Sequence, residues 1–194
     1  MNWSTFQLFI LIIGAAMLAI RIVTLRRKTG MNPVHVHHPS EVGFVVGEIV
    51  IAALMLRATN VLNFPLPDWL DIPIVKSELA KAAGAVLAAA GLLIFGYSLI
   101  SFGDSWRIGI DRKTPSVLVT NGIFRFTRNP IFLFLDLFLA GIFLMNGTLL
   151  FLIAGIPGAL FLHFQIRREE QFLFEHYGDA YRRYFAKTPR YFLK

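Results

Sequence analysis

The sequence predicts an all-α integral membrane protein of about five transmembrane helices. Spans four and five form a helical hairpin, and a helical C-terminal tail lies on the cytoplasmic side. Three observations carry this. Hydrophobic residues make up 56% of the chain, charged residues 16%, and the mean hydropathy is +0.60, whereas soluble domains run to roughly half apolar and a quarter charged. The apolar residues are gathered into long runs. The cations crowd one set of the connections between those runs, so the net charge of +7 follows membrane topology rather than nucleic-acid binding.

At 194 residues the chain is expected to be a single membrane domain, 1–194, with three N-terminal spans in 1–102 and a second half, 103–194. With no Cys there is no disulfide framework, thiol nucleophile or thiolate metal site. The first span runs from Trp3 to about Val23, close to the ~20 residues a bilayer crossing needs. No Lys or Arg precedes it, and Arg26, Arg27 and Lys28 follow it. That polarity is opposite to a cleaved signal peptide and predicts a retained helix with its N-terminus outside. Ala15 and Ala19 are spaced for a close helix contact. The loop that follows holds His35, His37 and His38. With no carboxylate or Cys at a ligand spacing it reads as an interfacial loop, and no metal site is expected.

The second span, about Val42 to Leu62, carries Glu48 and Arg57, which the helical repeat points to opposite faces. A charge at membrane depth faces a cavity or a partner, which makes Glu48 a functional candidate, while Arg57 reaches the far interface. The third span, about Ile74 to Phe102, has small-residue faces at Gly84, Ala88 and Gly91 that read as packing. A polar connection, 103–129, leads to spans four (about Pro130 to Met145) and five (about Thr148 to Ile166), joined by the Asn146-Gly147 turn. Span four is short for a full crossing, and Asp136 within it is expected to face a polar site. Gly178 stops a charged amphipathic segment, and a short helix around Asp179 to Phe185 follows.

The polar centre lies at the entry to span four. Asn121-Gly122 reads as a tight turn, Arg125 and Arg128 are spaced to share a helical face, and Asn129-Pro130 opens the helix. Glu169 and Glu170 sit at the exit of span five. Carboxylates beside cations suit a zwitterion such as an amino-acid moiety.

These blocks carry a resemblance. Gly103-Asp104-Ser105-Trp106-Arg107-Ile108-Gly109, Leu118 to Phe132, Arg167-Arg168-Glu169-Glu170, Tyr177 to Tyr184 and Thr188-Pro189-Arg190 resemble the isoprenylcysteine carboxyl methyltransferase family. They are also similar to the related phospholipid N-methyltransferases. The resemblance covers about the C-terminal half. It implies a membrane methyltransferase using S-adenosyl-L-methionine, with the tail completing the cofactor site, and a lipophilic or lipid-modified acceptor among membrane lipids. By position it implies that Ser116, Val117, Leu118 and Val119 line the adenosyl pocket and that Phe124 packs on the cofactor. Asn129, Pro130, Ile131 and Phe132 would form its floor, and Glu169 would bind its amino group. Asn129, Arg128 and Glu170 are the candidate catalytic residues, Gln165 and Asp136 the candidate substrate contacts.

The family usually has His where this chain has Ser116 and Asn129, and Tyr at Phe124 and Phe132. Gln165 stands where carboxylate-methylating relatives carry an Arg, which favours cofactor binding over the family's namesake activity. The alternatives are a phospholipid N-methyltransferase, or an NADPH-dependent membrane reductase of similar fold in which Arg125, Arg128 and Arg190 hold a cofactor phosphate. No nucleic acid or metal partner is expected. The site is expected in the cytoplasm, at the inner face of a cell membrane.

Overall fold

The computed structural model describes residues 2–30, 32–36, 38–108 and 117–192. Six α-helices are present among them: α1 (Trp3–Thr29), α2 (Pro39–Ala58), α3 (Glu78–Phe102), α4 (Pro130–Asn146), α5 (Leu149–Tyr177) and α6 (Asp179–Lys187). Four of these, α1, α2, α3 and α5, are long and apolar enough to cross a membrane. The fourth expected span, α4, has 17 residues, or about 26 Å at 1.5 Å per residue, just short of a hydrocarbon core of about 30 Å.

Local chemistry sets the helix ends. The Asn2 side chain accepts from the Ser4 and Thr5 amides to start α1, which stops at Gly30 with φ 69°. That helix runs past the expected end near Val23, because nothing before Gly30 breaks it. His38 caps α2: its side chain accepts from the Ser40 amide, and Glu41 reaches back to the His38 amide at 2.9 Å. The loop histidine His38 thus has a structural partner, while His37 lies outside the described residues. Ile74 and Val75, expected to open α3, instead donate their amides to the Gly147 carbonyl of the hairpin turn, so the helix begins at Glu78.

The largest difference is in α5. Expected to end near Ile166, it continues unbroken to Tyr177, since Arg, Glu and Gln are good helix formers and Gly178 is the first breaker. Glu169 and Glu170 therefore sit inside a continuous helix, held by its geometry rather than by a tail.

The helix pair α3/α4 is the centre of the bundle. Gly84, Ala88 and Gly91 form one stripe on α3 that receives Gly141 and Phe134 of α4. Phe95 stacks on Phe134 with ring centroids 4.7 Å apart. The small-residue face is packing, as its composition suggests. The α1 helix meets α3 through Gly14 against Leu92 and Met17 against Gly96, whereas Ala19 is exposed and Ala15 lines a cavity beside that contact.

One end of the bundle gathers the α1 start, the α2 exit and the hairpin turn. There Gln7 and Asn146 exchange amide hydrogen bonds, Trp3 donates to Glu78, and Arg57 forms two bonds to Asp71 at 2.9 and 2.6 Å. The opposite, basic end gathers the α1 exit, the α2 start, the connection and α6. Residues 33–35 and Ile108 are paired through backbone bonds, and Lys28 meets Asp104 at 2.7 Å.

A Cβ built on Gly84 would lie 2.5 Å from the Gly141 carbonyl oxygen, so α3 and α4 can approach this closely only without side chains there. Gly84→Val is expected to destabilise the protein by about 1–3 kcal/mol, the scale of overpacking. Thermal unfolding in detergent, with Gly47→Val (open space around the Cβ) as the control, checks this.

Candidate functional site

At the basic end, the entry to α4 is built as a corner. Asn121-Gly122 forms the expected tight turn, with Gly122 at φ 60° and leading a 3-10 turn, Gly122–Arg125. A side chain at Gly122 would collide with Ser101, whose hydroxyl instead accepts from the Ile123 amide at 3.2 Å. Arg125 and Arg128 do not share a face. The 3-10 turn ends at Arg125, which is exposed, and the chain then turns Arg128 inward.

Arg128 is buried against Glu170. Its Nε and Nη2 donate to Glu170 Oε1 at 3.1 and 2.8 Å, its Nη1 donates to the Phe185 and Thr188 carbonyls, and its guanidinium lies 3.9 Å from the Phe185 ring centroid. Arg190 donates to Glu170 Oε2 at 2.6 Å. This contact holds the Arg190 guanidinium above its ordinary pKa, chiefly through hydrogen bonding to Glu170. Asn129 Nδ2 adds a third donor to Glu170 at 3.2 Å, and its side chain does not cap α4. The corner is closed by Thr127 Oγ1 donating to the Arg190 carbonyl at 2.8 Å, and by the Arg128 amide donating to the Pro189 carbonyl. Tyr184 donates its hydroxyl to the Phe124 carbonyl at 2.8 Å, and Ile123, Phe124, Tyr181 and Tyr184 form a second small core. One carboxylate therefore ties the connection, α5 and the C-terminal tail together.

Beside this knot runs a cavity of about 660 Å³, within the ~300–1,000 Å³ typical of small-molecule sites. Its rim carries Arg107, Arg128, Asn129, Gln165, Glu169 and Glu41, and its shaft between α1, α2, α3 and α4 is almost wholly apolar. Along α1 it spans Ile10 to Ile22, about 18 Å of helix axis. Two buried polar atoms of lining residues have no partner: Trp106 Nε1 and Gln165 Oε1. Buried polar atoms are nearly always satisfied, so an unmatched donor and acceptor on one cavity point to a polar ligand.

The expected site residues divide. Phe124, Asn129, Pro130, Ile131, Phe132, Gln165 and Glu169 come together on the cavity wall, with Arg128 at its edge. Glu170 does not line the cavity. It lies one residue, or 100° of helix, around from Glu169 and is enclosed by its three donors. Ser116 lies outside the described residues. Val117 is exposed, and Leu118 and Val119 pack on the Tyr181/Tyr184 core rather than the cavity, because the chain passes behind Phe124. Asp136 is also off the cavity, one residue round α4 from the lining Leu135, on the side within electrostatic reach of Tyr191.

Glu41 and Trp106 were not singled out from the sequence. The signal for Glu41 was present: it precedes Glu48 by seven residues, two helical turns on one face. Trp106 stood inside a quoted block but had no visible role until its burial was known. Among the described residues no cluster of three His, Cys, Asp or Glu is placed to hold a metal ion.

Removing one partner of a buried ion pair leaves an uncompensated charge and costs about 3–5 kcal/mol. Glu170→Ala is therefore expected to destabilise the fold on that scale, and Arg190→Ala, whose side chain is partly exposed, by clearly less. Chemical unfolding of the two variants, monitored in detergent micelles, measures the difference.

No curated protein matches the chain. A profile described as phospholipid methyltransferase matches residues 79–180, from the start of α3 to the first turn of α6. The matched segment thus holds the α3/α4 pair, the corner, the Glu169 and Glu170 positions and most of the polar rim, and it takes in more than half of the sequence. The chain belongs to the phospholipid methyltransferase family.

Proposed function

We propose that the protein transfers a methyl group from S-adenosyl-L-methionine to a lipophilic acceptor held in the cavity. The observation that carries this is the 660 Å³ cavity with a polar rim and an apolar shaft, in a member of a methyltransferase family. Membrane location and family leave the acceptor open, and the cavity's shape favours an amphiphile.

The residues present fit the cofactor. Gln165 Oε1 is an unmatched buried acceptor and Trp106 Nε1 an unmatched buried donor. Glu169 offers a carboxylate on the same wall. In this reading Glu169 and Gln165 receive the ammonium of the cofactor's amino-acid moiety, Trp106 offers a donor to an acceptor group, and Phe124 and Phe132 supply apolar contact. When bound, S-adenosyl-L-methionine supplies a methyl on a sulfonium, activated for in-line displacement. The protein's part is then orientation and exclusion of water, to which the apolar shaft is suited.

Asn129 and Arg128 act as positioning residues, because both are bonded to Glu170. Glu170 is too enclosed by guanidinium donors to take a proton, so it holds the corner in place. The reductase alternative draws no support: Arg128 and Arg190, which would bind a cofactor phosphate, are engaged by Glu170. The charge distribution favours placing the basic end, and so the rim, in the cytoplasm with the N-terminus outside.

The direct test incubates the purified protein with methyl-labelled S-adenosyl-L-methionine and a host lipid extract, then identifies the labelled molecule. Label in a lipid-soluble product is the expected result, and no transfer to any extract fraction would contradict the reading. Glu169→Ala is expected to weaken cofactor binding by about 1.5–3 kcal/mol, the value of a charged hydrogen bond. Calorimetry finding an unchanged Kd in a folded variant would rule that role out.

A further inference from the structure

Resting on that methyltransferase reading, we infer that Glu48 receives the methyl acceptor, and that the acceptor is a lipophilic amine carrying no phosphodiester. Glu48 lies on α2, outside the segment that matches the family. Glu41, Phe44, Glu48, Ile51 and Met55 follow helical spacing and line one side of the cavity. Glu48 is two turns beyond Glu41, about 10 Å deeper along the helix axis. Its neighbours on the same wall are Val45, Ile49, Ile51 and Ala52.

Among the described residues Glu48 makes no hydrogen bond or ion pair. An ionised carboxylate on an apolar wall at membrane depth is costly, so such a group takes up a proton or meets a cation. The cavity's own cations, Arg107 and Arg128, are at the rim. Arg128 is held by Glu170, and Arg107 donates to the Asp104 and Trp106 carbonyls. The cation that completes Glu48 therefore comes with the ligand.

The same wall argues against a phosphodiester. In an ethanolamine phospholipid the phosphate is two carbons from the amine. With the amine at Glu48, the wall residues beside it, Val45, Ile49, Ile51 and Ala52, offer that second anion no side-chain donor, and it shares the cavity with the carboxylates Glu41 and Glu169. Burying an unpaired anion among like charges is strongly unfavourable. A long-chain amine places only its cation at Glu48 and its chain along the shaft.

The step balances with groups already named. The bound ammonium gives one proton to the Glu48 carboxylate, which frees the nitrogen lone pair. That pair forms the new N–C bond as the methyl's bond to sulfur breaks and its electrons remain on the sulfur. The product is the N-methylated ammonium with a protonated Glu48, which returns its proton to water when the product leaves.

The full chain in phosphatidylcholine nanodiscs tests this by binding and by transfer. Without cofactor, hexadecylamine is expected to raise the thermal midpoint, whereas hexadecanol and dipalmitoylphosphatidylethanolamine leave it unchanged. Glu48→Gln is expected to weaken the amine's effect about ten- to hundredfold in concentration, the scale of a lost charged hydrogen bond. With labelled cofactor, hexadecylamine is methylated and the phospholipid is not. Equal stabilisation or labelling by the phospholipid overturns the inference, as does undiminished amine binding in Glu48→Gln. Should that variant fail to fold, the comparison of the three lipids on the wild-type protein decides alone. Calorimetry with S-adenosyl-L-methionine on the same samples tests the methyltransferase reading separately: no binding overturns that reading and the transfer step, whatever the amine does.

Discussion

The basic end of this protein depends on one buried carboxylate. Glu170 accepts from Arg128, Asn129 and Arg190, which come from the entry to α4 and from the C-terminal strap. The entry to α4 and the C-terminal segment also meet directly, through the Arg128 amide on the Pro189 carbonyl and Tyr184 on the Phe124 carbonyl, and Glu170 ties both of them to α5. A carboxylate in that setting is stable only because its donors surround it on both oxygens. The arrangement also specifies geometry: planar guanidinium forks fix direction as well as distance.

That knot leaves its neighbour available. Glu169 and Glu170 are adjacent in sequence, and the 100° helical step separates their surroundings completely. One is enclosed by cations and holds the fold. The other faces a cavity with the unmatched Gln165 oxygen and the unmatched Trp106 nitrogen beside it. Two carboxylates with different environments on one helix is a familiar way to divide structural from chemical roles. The division requires α5 to stay helical past Ile166, and good helix formers from Arg167 to Gln171 favour that.

The cavity is the counterpart of the tight packing elsewhere. Gly84 and Gly141 bring α3 and α4 into backbone contact, while α1 and α2 stand further off and leave space between them. In lipid there is no hydrophobic drive to close that space, because acyl chains are as apolar as the helix walls. An amphiphile is therefore a natural occupant, and the carboxylates on α2 are the polar features of that wall.

The sequence by itself determined the class, the number and order of the apolar helices, the hairpin at Asn146-Gly147, and the family carried by the blocks from Gly103 onward. These are local properties: run length, turn chemistry and motif order survive without knowing what touches what. It also named most of the cavity's α4 and α5 wall, since Asn129, Phe132, Gln165 and Glu169 lie on or beside those motifs. Only the tertiary structure decided that Arg128 and Glu170 face each other, that Asp136, Leu118 and Val119 turn away from the cavity, and that Glu41 and Trp106 turn toward it. Those assignments depend on contacts between residues 40 or more positions apart and on which side of a helix meets a neighbour. Sequence spacing fixes the angle between two side chains on one helix, but not the direction in which that helix is rotated within the bundle.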